Sequence, residues 1–184
     1  MNMTTDPTDI ATQLQGTLEE LVGGLVFHPD AVRVVADADP TFIASISCHP
    51  DDYGIVLGGK AATLLALRAI AASMAMRHNV PPAEPPLILE PQPKLERQLT
   101  VTPLDPDWTT DELEGYALRT LAQCFRGKVQ LDFEDFTPTI VKARFIVEDA
   151  ELDLGLLVNP FETVMNVWSA RHGGKKVRVS INLC

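Results

Sequence analysis

Cysteine is scarce in this chain of 184 residues: Cys48, Cys124 and Cys184 are widely spaced and form no CxxC pair. An odd, scattered set argues against a disulfide framework or a thiolate zinc site and reads as reduced thiols. Cys184 is the last residue, not the fourth from the end, so it is no prenylation signal. Positive charge is also short, with 15 Lys/Arg against 25 Asp/Glu and a net charge of −10. Residues 1–92 hold 4 basic and 11 acidic side chains, and residues 93–184 hold 11 and 14. Phosphate neutralisation supplies most non-specific affinity for nucleic acid, so a grip by bulk charge is excluded. Long apolar runs are missing as well. The most apolar stretch, residues 61–76, is interrupted by Arg68 and closed by Arg77, too short and too charged for a comfortable membrane span. Residues 1–14 are polar and carry Asp6 and Asp9 with no basic region, which excludes an ordinary secretory signal and leads to an expectation of the cytoplasm.

Catalytic signatures are absent too: there is no P-loop, nucleophile elbow, dinucleotide fingerprint or HExxH. The expectation is a non-enzyme with no cofactor and no metal. His28, His49, His78 and His172 show no ligand spacing and read as turn and helix-end residues. Asp51-Asp52 reads as the acidic start of a helix rather than a metal pair.

What the chain does contain is 46% apolar residues, enough for a packed core, in a length that allows one large or two small domains. It also contains a pattern that occurs twice, at residues 52–65 and 153–165. Each copy has an acidic residue, a Gly, three aliphatics, a four-residue turn and an amphipathic helix. Around these, Leu14, Leu18, Leu21, Val22 and Leu25 have helical spacing over residues 8–24. Residues 31–36 and 41–48 read as strands, and 87–90 as a short one. In the second half, helices are expected from residue 109 through 124, where Thr109 and Glu112 have capping-box spacing, and at 150–158 and 163–172. Strands are expected at 129–134, 141–147 and 177–183. Leu99 and Val101 are candidates for an edge strand. Six prolines between Pro81 and Pro93 bracket a boundary.

Both halves therefore read helix–strand–strand–helix–turn–helix–strand. The expected class is α/β (α+β), with tandem units at 8–92 and 109–184 and a proline-rich linker region at 81–108. The two units are expected to pack together, because the helix from residue 61 is apolar nearly all round and wants cover.

The element order, with a turn between two helices, resembles the type II KH domain. Residues 19–68 resemble the small bacterial KH-domain RNA-binding proteins quite closely. They share a Leu-Val helix end, His28-Pro29-Asp30, a valine strand, Pro50-Asp51-Asp52 and Gly54-Ile55-Val56-Leu57-Gly58. The second half resembles KH only through its order and the internal repeat, as a degenerate copy. In this family the turn is Gly-x-x-Gly, which lets backbone approach phosphate closely at a helix N-terminus. Here it is Gly58-Gly59-Lys60-Ala61, with Ala in the last position and Lys60 kept as a point charge. The resemblance implies single-stranded RNA held at that turn. Gly54, Ile55, Val56 and Leu57 would line the adjoining groove, joined by Ile43 or Ile46, whichever faces outward. Arg68 would reach phosphate or else be solvated. The plain alternative is that Gly58 and Gly59 only make a helix–helix turn.

The second turn, Asn159-Pro160-Phe161-Glu162, has the wrong chemistry for phosphate: Pro160 removes a donor, Phe161 adds bulk and Glu162 the wrong charge. Phe161 is a possible partner contact or packs against the other half, and Trp168 reads as core. Arg171, His172, Lys175, Lys176 and Arg178, with Lys142 and Arg144, make either a basic patch or a solvated sheet edge. The rival to RNA binding is a protein-interaction adaptor, acting with a protein partner or as a homodimer. The acidic charge and the second turn favour it.

Overall fold

Leu14, Leu18, Leu21 and Val22 recur one or two helical turns apart, and all four are buried on one face of α1 (Pro7–Gly23). This computed structural model describes residues 7–91, 110–137, 139–148, 154–172 and 175–183, with only the backbone described at 135 and 136. After α1 come β1 (Arg33–Asp37) and β2 (Phe42–Ser47), paired antiparallel with Val34 opposite Ile46. Period-two alternation puts Phe42, Ala44 and Ile46 in the core and turns Ile43 outward. α2 (Tyr53–Leu57) and α3 (Ala62–Arg77) then cross over to β3 (Pro82–Leu89), which lies parallel to β2. A parallel partner requires such a crossover.

β3 is an edge strand and starts at Pro82, before the expected residue 87, so part of the expected linker region belongs to the first sheet. Pro82, Pro85 and Pro86 are tolerated there because an edge strand leaves half its N–H groups without a ladder partner to lose. The remaining linker residues, Leu99 and Val101 among them, and Thr109 of the expected capping box lie outside the described residues.

The second unit repeats the plan. α4 (Thr110–Thr120) leads through a 3₁₀ turn at Leu121–Cys124 to β4 (Val129–Thr137) and β5 (Ile140–Val147), which pair antiparallel. α5 (Gly155–Arg171) then crosses to β6 (Lys176–Leu183), parallel to β5. The chain is thus an α/β protein of two helix–sheet units, each with a three-stranded mixed sheet.

One expected element is corrected here. Asn159–Glu162 is not a turn between two helices: α5 runs continuously through it with Pro160 inside. Phe161 explains this. It is fully buried, its ring 5.1 Å from that of Phe145 and 5.8 Å from that of Phe125. A helix presents it to the core, whereas an exposed turn would not. Pro160 lies early in α5, so the bond it removes is to residue 156, next to the solvent-exposed start of the helix.

Equivalent helices of the two units face each other: α1 packs on α4 and α3 on α5, within one continuous core. By length and composition Gly59–Arg77 is apolar enough to cross a membrane, but half of it is buried in this fold. The hydrogen bonds across the junction are nearly reciprocal. Arg77, ending α3, donates to the Gln123 carbonyl at 3.0 Å, just beyond α4. Arg171, ending α5, donates to the Gly23 and Gly24 carbonyls at 3.1 and 3.0 Å, at the end of α1. Helix C-termini leave carbonyls unpaired and carry partial negative charge, so each guanidinium meets a complementary end. Buried Tyr116 adds a bond from its hydroxyl to the Leu21 carbonyl at 2.8 Å. We expect Tyr116→Phe to cost about 1 kcal/mol, since one buried bond is lost and Leu21 O is left unpaired. The midpoint of a urea denaturation curve measures it.

Candidate nucleic-acid interface

The site begins at Asp52, which is fully buried. Its carboxylate makes no bond to the helix it precedes. Instead it accepts from the backbone N–H of Phe27 and of His28, both at 2.9 Å, and pairs with His28 Nδ1 at 3.0 Å. Asp52 therefore ties the loop after α1 to the start of α2, a stronger role than an acidic helix start.

α2 ends where Gly58 takes φ 72° and ψ 167°. That region of backbone space is essentially reserved for glycine. A Cβ at Gly58 would lie 2.3 Å from Thr63 Oγ1 and 2.6 Å from Thr63 N. Lys60 (φ 55°, ψ 32°) and Ala61 (φ 61°, ψ 23°) are then both left-handed. Two successive side-chain-bearing residues in this region store strain of about 1–2 kcal/mol each. We expect Ala61→Gly, which restores the Gly-x-x-Gly spacing, to stabilise the chain by about 0.5–1 kcal/mol after the added freedom of the unfolded chain is counted. A shift in thermal midpoint reads it.

The turn faces outward. Gly59 and Lys60 are exposed, and a Cβ on Gly59 would meet nothing within 4 Å. It opens directly onto α3, whose N-cap, Ala61, supplies no side-chain bond and whose first turn holds no acidic residue. The Ala61 and Ala62 N–H groups are already bonded to the Gly58 and Gly59 carbonyls, so an anion would meet the helix dipole and the N–H groups that follow them.

The other expected site residues divide. Gly54 is exposed, and Ile55 and Leu57 are half-buried against the core. Val56 is fully buried and faces inward, so it is corrected from a groove residue to a core residue. A five-residue helix must turn one of its aliphatics to the core, and Val56 is that one. Ile43 is on the solvent side and Ile46 in the core. Arg68 is half-buried, with Nε donating to the Leu87 carbonyl at 2.8 Å. That bond holds α3 against the edge of β3.

In the second unit the corresponding edge is occupied by α5's own side chains. Asn166 takes the Val177 N–H at 2.9 Å and donates to the Val177 carbonyl at 2.8 Å. Glu162 accepts from the Val179 N–H at 3.2 Å and from Arg178 at 2.7 Å. Phe161 is corrected as a partner contact because it has no exposed surface. Asn166 was missed in the sequence, although Glu162 and Asn166, four apart on an otherwise apolar helix, share a face. The candidate basic patch is also dispersed. Arg171 caps α1, Arg178 pairs with Glu162, and Arg144 lies 3.7 Å from Glu134. His172 stacks on Trp168.

The cysteines with described side chains are buried and in no disulfide. Burial, with the Asp52 carboxylate adding to it, pushes the Cys48 thiol up to about 11, and burial raises Cys124 further. Neither is a thiolate at neutral pH.

Curated proteins resemble part of this chain. The RNA-binding protein KhpA of Leifsonia xyli is 38% identical over 63 residues, which is 34% of this chain and 83% of that protein. KhpA of Halalkalibacterium halodurans matches with the same identity and coverage. KhpA of Streptomyces coelicolor is 35% identical over 65 residues, 35% of this chain and 82% of its own length. The chain belongs to the KhpA family. Membership rests on about a third of its length, so some 120 residues have no counterpart in the KhpA match, as the coverage shows. No family model matches the chain, and no solved structure matches it significantly.

Proposed function

We propose that this chain is a non-catalytic, cytoplasmic RNA-binding protein holding the backbone of single-stranded RNA at Gly58-Gly59-Lys60-Ala61. On this reading residues 8–92 are a working KH-like unit. Residues 109–184 are a degenerate KH-like repeat that braces the first unit and takes no RNA of its own. The observation that carries the proposal is the turn itself. Gly59 and Lys60 are exposed, Lys60 and the following Ala61 take a strained left-handed path, and the turn opens onto the N-terminus of a 16-residue helix. Strain of this kind is kept where function requires the conformation. The family of RNA-binding KhpA proteins supplies the nucleic acid. Gly54, Ile55 and Leu57 flank the turn as contacts for bases, and Arg68 acts by holding α3 to β3.

The test is fluorescence anisotropy with a random single-stranded RNA pool at two salt concentrations, comparing wild type with Gly59→Asp/Lys60→Asp. Gly59 has open space, and Asp tolerates the left-handed region at position 60, so the double variant is expected to keep the fold. The expected result is salt-sensitive binding by wild type and at least about a tenfold loss in the variant, as removal of a phosphate contact and addition of like charge require. Absence of binding by folded wild type at low salt overturns the proposal.

The second reading is a protein-interaction adaptor, working with a protein partner or as a homodimer. It is favoured by the net charge of −10 and by the self-occupied edge of β6. It takes the lead if the RNA experiment fails.

A further inference from the structure

Two His-Pro-Asp triplets, His28-Pro29-Asp30 and His49-Pro50-Asp51, stand 21 positions apart, and each opens a 3₁₀ turn with its histidine as N-cap. The fold brings the two turns together. The rings of His28 and His49 stack with centroids 3.9 Å apart and 28° between planes. One donor atom from each of His28, His49 and Asp51 lies within 4.8 Å of the other two. His28 and Asp51 are exposed and His49 half-buried, so solvent reaches the cluster.

The surroundings of His28 are those of a metal-ligating imidazole. Its Nδ1 faces the buried Asp52 carboxylate at 3.0 Å, which leaves Nε2 as the free nitrogen. A carboxylate on the far nitrogen of a ligating histidine orients the ring and raises its basicity. Asp52 is itself fixed by the Phe27 and His28 N–H groups, so the orienting group cannot drift. His49 Nδ1 accepts from the Asp51 N–H at 3.3 Å and lies 3.6 Å from Asp51 Oδ2, so ring and carboxylate are on the same side of their turn. Neighbouring Cys48 faces the core and is not part of the cluster.

We propose that His28, His49 and Asp51 form a binding site for a divalent zinc-class cation, with Asp52 as positioning residue and water completing the coordination. Two imidazoles and one carboxylate suit zinc and its neighbours rather than calcium or magnesium. Bonds of about 2.0–2.1 Å at tetrahedral angles put donor atoms about 3.4 Å apart, so the donor atoms must draw closer and the stacked rings must turn apart for the ion to enter. The bound ion staples the loop after α1 to the loop before α2, immediately ahead of the Gly58 turn.

The experiment titrates ZnCl2 into the full chain carrying Cys184→Ser, by calorimetry and by competition with a chromogenic chelator. Wild-type ligands are compared with His49→Ala and Asp51→Asn. Expected are one equivalent of zinc, a rise in thermal midpoint with added metal, and an affinity loss of about 10–100-fold in each variant. Both variants alter solvent-reached side chains. Their melting without metal checks the fold, and if one fails to fold the other decides. Cobalt(II) in place of zinc should give visible bands of nitrogen and oxygen ligation without a thiolate charge-transfer band. No saturable binding, or equal affinity in the variants, overturns the site. A thiolate band transfers the metal to a cysteine and overturns it equally.

Discussion

Replacing Asp52 by Ala is expected to lower folding stability by about 2–5 kcal/mol, the cost of leaving two backbone N–H groups without their acceptor. The reason lies in what is left behind. The carboxylate has no exposed surface and accepts from two backbone N–H groups and one imidazole. Alanine strands Phe27 N–H and His28 N–H at a site water does not reach through Asp52, and an unpaired buried donor costs about 1–3 kcal/mol. A second loss falls on the unit junction. Burial pulls the Arg171 guanidinium down while the Asp52 carboxylate acts the other way, so Arg171 loses a nearby counter-charge while keeping its bonds to the Gly23 and Gly24 carbonyls. Asp52→Asn is expected to cost less, because one amide oxygen still accepts, though its NH2 then faces a donor. Urea denaturation of wild type and both variants measures this. A loss below about 1 kcal/mol for Asp52→Ala would mean that water replaces the carboxylate.

Gly58→Val should be comparably damaging, by about 3–5 kcal/mol, from two independent sources. The backbone at φ 72°, ψ 167° costs a side-chain-bearing residue about 1–3 kcal/mol. The new Cβ would also sit 2.3 Å from Thr63 Oγ1, 2.6 Å from Thr63 N and 2.9 Å from Thr63 Cβ, overlaps of a size that costs about 1–3 kcal/mol in a packed site. Because one of those atoms is backbone, rotating the Thr63 side chain does not clear the clash. The measurement is the same denaturation curve, with Gly59→Ala as its control. Gly59 has open space and no positive φ, so its substitution is expected within about ±0.5 kcal/mol. Equal stability of the two variants would show that Gly58 is not held in this conformation. The pair also separates folding from function at the proposed RNA turn, since only Gly59 tolerates change without strain.

Most of the secondary structure was legible because each signal was local. Periodicity over Leu14, Leu18, Leu21 and Val22 is a property of a single helix, and alternation over Phe42, Ala44 and Ile46 of a single strand. The glycines at 58 and 59 marked a turn for the same reason: only Gly58 relieves the steric conflict that the path of the chain imposes. Local chemistry misled where burial overrode it. Asn-Pro-Phe-Glu has turn composition, but Phe161 gains more from the core beside Phe125 and Phe145 than the segment loses through Pro160, and α5 continues.

Sequence alone determined the α/β class, the order of helices and strands apart from the second turn, the KH-like resemblance of residues 19–68 and the position of the candidate turn. Only tertiary structure decided that Val56 and Phe161 are core, that Arg171 caps a helix of the other unit, and that Asn166 and Glu162 occupy the edge of β6. It alone also brought His28 beside His49. The reason is range. A turn, a cap or an amphipathic face is dictated by residues within a few positions of one another. Which side chains meet across 21 or 148 positions depends on how the faces pack, and no local spacing encodes that.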